Sequence, residues 1–134
     1  MRKIFLGSIL FATVLAAFVS CTKHQDDVEE NIPRHTINFT SPTLSSTYRN
    51  GDSIAIQATA ISTASIHGYD IIVRKLNDTT KLYFKNMHDH NDTLFINQKW
   101  KNTITTQTNM EAEIVLYLDH DGHTGSTKAS FRIQ

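Results

Sequence analysis

The stretch "MEAEIVLYL", Met110 to Leu118, sets Ala112, Ile114, Leu116 and Leu118 on one side of an extended chain and Glu113, Val115 and Tyr117 on the other. A period of two is the pattern of a strand with one buried face, because successive side chains leave a sheet on opposite sides. Working outward, the same alternation recurs at short intervals. "TKASFRIQ" (Thr127 to Gln134) turns Ala129, Phe131 and Ile133 inward, and "GYDIIVRK" (Gly68 to Lys75) sets Tyr69, Ile71 and Val73 against Asp70, Ile72 and Arg74. "SIAIQATA" (Ser53 to Ala60) faces Ile54, Ile56 and Ala58 one way, and "HTINFT" (His35 to Thr40) does so with Ile37 and Phe39. "KLYFKNM" (Lys81 to Met87) and "TLFINQKW" (Thr93 to Trp100) complete the set.

Turn formers separate these runs: "SPTLSSTYRNGD" (Ser41 to Asp52), closing at Asn50-Gly51, and "LNDTT" (Leu76 to Thr80). Roughly seven strands in about 100 residues, with turns every 8 to 12, predict an all-β, seven-stranded antiparallel sandwich over residues 35–134. "KNTITTQTN" (Lys101 to Asn109) fits a strand end, an edge strand or the long crossover of a Greek key.

Ahead of this domain, Arg2 and Lys3 precede an apolar run from Ile4 to Val19 that ends at Ser20-Cys21. A basic start, an apolar run and a small residue predict an export signal over residues 1–20. The run is shorter than the roughly 20 residues of a spanning helix. "AAFVSC" (Ala16 to Cys21) resembles the lipobox of Gram-negative bacterial lipoproteins, with Phe18 where leucine is usual. The resemblance implies cleavage before Cys21, acylation of that cysteine and anchoring in the outer membrane. "TKHQDDVEE" (Thr22 to Glu30) reads as a polar, flexible tether, so residues 21–34 are expected to link lipid to domain. Its acidic pairs resemble signals that send some lipoproteins to the outer surface of that membrane.

The chain of 134 residues has 13 basic and 13 acidic side chains, and losing Arg2 and Lys3 leaves 11 basic ones. A mature net charge near −2 carries no basic stripe, which argues against nucleic acid as a partner. Cys21 is the sole cysteine, so no intramolecular disulfide supports the domain.

"GDSIAIQATA", "HGYDIIV" and "YLDHDGHTGSTKASFRI" together resemble bacterial immunoglobulin-like domains, which often carry Gly-Asp before the second strand and an Asp-rich turn before the last. More weakly, the chain resembles small His-rich lipoproteins with an Ig-like domain. The resemblance implies a fold and no activity, because this architecture hosts many functions.

Consecutive antiparallel strands alternate in direction, so alternate loops share an end of the sandwich. By that count Ile66-His67-Gly68, "MHDHND" (Met87 to Asp92) and "LDHDGHTG" (Leu118 to Gly125) come together. Five of the seven histidines, namely His67, His88, His90, His120 and His123, are then expected at one end, with Asp89, Asp92, Asp119 and Asp121. Neutral imidazoles bind zinc, copper or nickel, and three or four make a site. The preferred ligands are His67, His88, His90 and His120, with His123 and Asp121 in reserve. Solvated turns, or a metal-free surface for a protein or glycan, remain alternatives. A calcium loop fits poorly, since the twelfth position from Asp119 is Ser130 rather than glutamate.

No Gly-x-Ser-x-Gly elbow or His-Glu-x-x-His helix is present. A blue-copper site would need a cysteine thiolate, and a superoxide dismutase is resembled in His-x-His alone. The expectation is therefore a non-enzymatic binding module, with a copper-dependent enzyme as the weaker alternative. An edge strand could also pair with a partner in a surface complex. Ser53, Thr79 and Thr93 each follow an aspartate and precede Ile, Thr or Leu, which resembles the acceptors of a bacterial O-glycosylation system.

Overall fold

The computed structural model describes residues 31–134, so the expected export signal, Cys21 and most of the expected tether lie outside the described residues. Eight strands follow in order: β1 (His35–Ser41), β2 (Thr47–Tyr48), β3 (Ser53–Ser62), β4 (Gly68–Lys75), β5 (Tyr83–Met87), β6 (Thr93–Lys101), β7 (Thr108–Tyr117) and β8 (Thr124–Ile133). They form a three-stranded sheet, β1-β3-β6, and a five-stranded sheet, β2-β8-β7-β4-β5. This is an all-β, immunoglobulin-like sandwich, with no helix among the described residues.

The seven expected strands are all present. The eighth, β2, falls within the segment read as a loop, and it pairs with β8 in parallel, Thr47 opposite Arg132 and Tyr48 opposite Ile133. An all-antiparallel sandwich is thus corrected to a mixed one. Two residues are too few to show a period, which is why β2 escaped the sequence. The uncertain segment resolves into a loop after Lys101 and the first residues of β7. That loop crosses between the sheets and is pinned by Asn102, 1 % exposed. The Asn102 amide donates to the Arg49 carbonyl at 2.8 Å and accepts from Ile104 N–H at 2.9 Å.

The inward faces predicted by alternation meet in one core. Ile54 and Ile56 of β3, Ile71 and Val73 of β4, and Ile114 and Leu116 of β7 are buried, as is Trp100 of β6. Each such side chain contributes about 1.5–3 kcal/mol through the water it no longer orders. The outer face of the five-stranded sheet carries cross-strand ion pairs. Arg74 bonds Glu111 and Glu113, both at 2.5 Å, and Lys128 lies 3.3 Å from Glu111. Burial alone would raise the Glu111 carboxyl, but hydrogen bonds from Arg74 and Lys128 outweigh it and hold that group below its ordinary range. On the three-stranded sheet, β6 is an edge. It places Lys99 and Lys101 opposite Ala55 and Ser53 at one end and a largely exposed Phe95 opposite Thr59 toward the other.

Gly68 opens β4 with φ +142°, and a Cβ there would come within 2.5 Å of the Met87 carbonyl oxygen. That contact is backbone, so nothing can swing aside. Gly68→Ala should cost about 3 kcal/mol from strain and clash together. Gly122→Ala, at φ +95° in open space, should cost about 1 kcal/mol. Urea midpoints of the two variants test this ordering, and equal losses would contradict it.

Candidate metal centre

Three loops define one end of the sandwich: β3–β4, β5–β6 and β7–β8. Backbone hydrogen bonds lash them together. Ile66 N–H donates to the Asn91 carbonyl at 2.9 Å and His67 N–H to the Tyr117 carbonyl at 2.8 Å. Ser62 N–H reaches the Asp92 carbonyl at 2.8 Å. Ile66 is fully buried, so the next residue, His67, is held between the other two loops.

Each of those loops is shaped by its own aspartate. Asp89 accepts from His90 N–H at 2.7 Å and from the Asn91 amide. Asp119 accepts from Asp121 N–H at 2.9 Å and His123 N–H at 3.0 Å, and its second oxygen meets His123 Nδ1 at 2.5 Å. Burial alone would raise the Asp119 carboxyl, yet the His123 N–H, the His123 ring and Asp121 N–H hold it below its ordinary range. With its oxygens engaged in this way, Asp119 shapes the turn.

The rings themselves form a chain of contacts. His67 lies 4.0 Å from His120, centroid to centroid, and 5.2 Å from His90, while His90 lies 4.5 Å from His88. The preferred four histidines are therefore neighbours, drawn from all three loops. His67 is half-buried and the other three are exposed. Nδ1 of His67 is buried without a hydrogen-bond partner. Burial pushes the His67 pKa down, and repulsion from His120 and His90 pushes it further, against a smaller opposite pull from Asp119.

Zinc–nitrogen bonds of about 2.0–2.1 Å in a tetrahedron separate imidazole centroids by about 5 Å. His67 and His90 have that separation; the other two pairs are closer. As they stand, no three His, Cys, Asp or Glu side chains among the described residues surround a point that would hold a metal ion. Closure on an ion requires turns of His88, His90 and His120, all exposed, and exposed side chains change rotamer in picoseconds to nanoseconds.

The reserve residues lie on the β7–β8 loop. His123 is engaged with Asp119, and Asp121 is exposed. A sixth histidine, His35, also lies at this end. It pairs with Ser62 at the start of β1, and its ring lies against Gly125, where any Cβ would collide with it. Strand direction places β1's first residue beside β3's last, a signal that was available from the sequence. Of the three hydroxyls with glycosylation-like surroundings, Ser53 and Thr79 are exposed and Thr93 is half-buried. Their aspartates also serve local turns: Asp52 accepts from Arg49 N–H at 2.7 Å and Asp78 from Thr80 N–H at 2.8 Å.

No protein-family profile matches the chain, and no curated protein matches it. Solved structures with a similar chain path include the fibronectin(III)-like modules of CbhA from Clostridium thermocellum, at 16% identity and TM-score 0.49, covering 73% of this chain and 94% of that one. Another is the CARDB domain of the PF1109 protein from Pyrococcus furiosus, solved in complex with di-metal ions, at 10% identity and TM-score 0.39, covering 75% of this chain and 90% of that one. Neither likeness bears on the histidines.

Because His67 binds a proton less readily folded than unfolded, the unfolded chain takes up more protons as pH drops through 6.5. Metal-free stability should fall over that window, and His67→Gln should flatten the fall. Melting temperatures at pH 7.5 and 5.5 for both proteins check this; an unchanged slope in the variant would contradict it.

Proposed function

We propose that this protein is a non-enzymatic binding module of a bacterial cell envelope. In this reading lipid on Cys21 anchors it in the outer membrane, and zinc or copper(II) binds among His67, His88, His90 and His120. The observation that carries the metal reading is the convergence of four imidazoles from three loops, beside a buried His67 Nδ1 that lacks a partner. An unsatisfied buried polar atom costs about 1–3 kcal/mol, and a coordinated cation removes that cost. An all-nitrogen set suits zinc, copper(II) or nickel better than calcium or magnesium, which take oxygen ligands.

The anchor rests on the lipobox-like "AAFVSC" and the polar tether behind it. Exposed Phe95, on the edge strand β6, favours a second reading: a metal-free surface for a protein or glycan within a surface complex. Ser53 and Thr79, being exposed, are the more accessible O-glycosylation candidates, with Thr93 behind them.

The test is the melting temperature of the full chain in detergent, stripped with chelator and then given zinc, copper(II), nickel or calcium. At 100 times its Kd an ion adds about 2.7 kcal/mol, which for a domain of about 100 residues raises the melting temperature by roughly 10–20 °C. The zinc or copper shift should vanish in His67→Ala and calcium should give none. Absence of a shift with every transition metal would sink the metal reading.

A further inference from the structure

The ladder between β3 and β6 runs unbroken from Ser53 opposite Lys101 to Ile61 opposite Thr93. Backbone bonds just beyond its two ends fix which residues it uses. Ser62 N–H donates to the Asp92 carbonyl at 2.8 Å, and Asn102 N–H to the Asp52 carbonyl at 2.9 Å. Opposed antiparallel residues alternate between bonded and unbonded pairs, so the even-numbered residues of β6 bond β3. The N–H and C=O groups of Thr93, Phe95, Asn97, Lys99 and Lys101 therefore point the other way, where no strand lies among the described residues. Unpaired edge groups are a template for another strand. The other sheet edges are poorer templates: β1 breaks register between Phe39 and Ser41, β2 has two residues and β5 has five.

We propose that a second copy of this chain fills the β6 edge, β6 against β6 in antiparallel, about a two-fold axis through Asn97. Asn97 is the midpoint of the outward-facing residues, so this register alone engages all of them on both copies. It also sets Lys99 opposite Phe95 of the second copy and Lys101 opposite Thr93, and no two lysines meet. A register centred on Lys99 would oppose two lysines, and one centred on Phe95 would run Lys99 and Lys101 past the end of the facing strand. The uncharged half of each copy thus covers the lysine half of the other. A lysine ammonium over a phenyl face is attractive, and Lys81 already lies over Phe84 in this way, 4.3 Å from its centroid. Phe95, 82 % exposed in one copy, gains a neighbour. The sheet β1-β3-β6 then continues into the second copy's β6-β3-β1. The histidine loops of the two copies lie at opposite ends of the pair, so the pairing is independent of any metal.

Sedimentation of the full chain in density-matched detergent measures its mass, and amide hydrogen exchange followed by NMR reads β6 directly. The chain should be dimeric at about 0.1 mM, and exchange at Phe95, Asn97 and Lys99 should slow as protein concentration rises. A monomer at that concentration would overturn the proposal, as would a dimer in which those amides exchange as fast as in the monomer. Asn97→Pro removes an N–H that one copy alone does not use, so the β3–β6 ladder survives while dimerisation should weaken by about tenfold or more. Undiminished dimerisation in that variant would place the contact elsewhere and refute the proposal. Phe95 supplies a second pair of variants that leave the backbone unchanged. Phe95→Lys sets like charges against Lys99 of the second copy, and Phe95→Glu sets opposite ones. The lysine variant should dimerise less than the glutamate variant, by a margin that widens as salt is lowered. Equal affinities for the two would refute the Asn97 register.

Discussion

Everything at the histidine end depends on how closely β4 approaches β5 at Gly68. The chain passes from the three-stranded sheet to the five-stranded one through a short loop, and Gly68 is where it enters the second sheet. There the Met87 carbonyl occupies the space a Cβ would need. Ile66 is sunk into the core two residues earlier. Between a buried isoleucine and a glycine pressed against backbone, His67 has little freedom of place. Its ring is set against His90 and His120 by the chain path.

Crowding imidazoles has an electrostatic consequence. Imidazole is a weak base, and several charged rings within about 5 Å would repel. The cluster is favoured only while most of its members are neutral, which is also the state that offers lone pairs to a cation. Asp119 moderates the repulsion at His67, but it is committed to His123 and to the loop backbone. Protons and metal ions thus compete for the same nitrogens, as they do at any imidazole site.

Much of this was legible in the sequence. Alternation in "SIAIQATA" and "MEAEIVLYL" identified inward faces that are buried in the fold, and counting strand directions brought His67, His88, His90 and His120 together before any coordinates. That count survived an extra strand because β2 adds a short excursion beside β8 without reversing the order of the long strands. Asn102 was invisible: a lone asparagine in a polar loop gives no pattern, and its burial follows from the crossing it pins. His35 opens a strand and belongs to no cluster in the sequence, so only the pairing of β1 with β3 brings it to this end. The separation of His88 from the other rings depends on how the β5–β6 loop bends, which no spacing encodes.

The edge strand β6 is uneven along its length. Toward its far end it bears Lys99 and Lys101, and charged lysines on an edge discourage another strand from pairing there. Toward the histidine loops it bears Phe95 and no charge between Thr93 and Gln98. Protection against strand addition therefore covers half of the edge. The unguarded half adjoins the loops that carry His88 and His90, so a strand added to β6 would arrive within reach of the same rings.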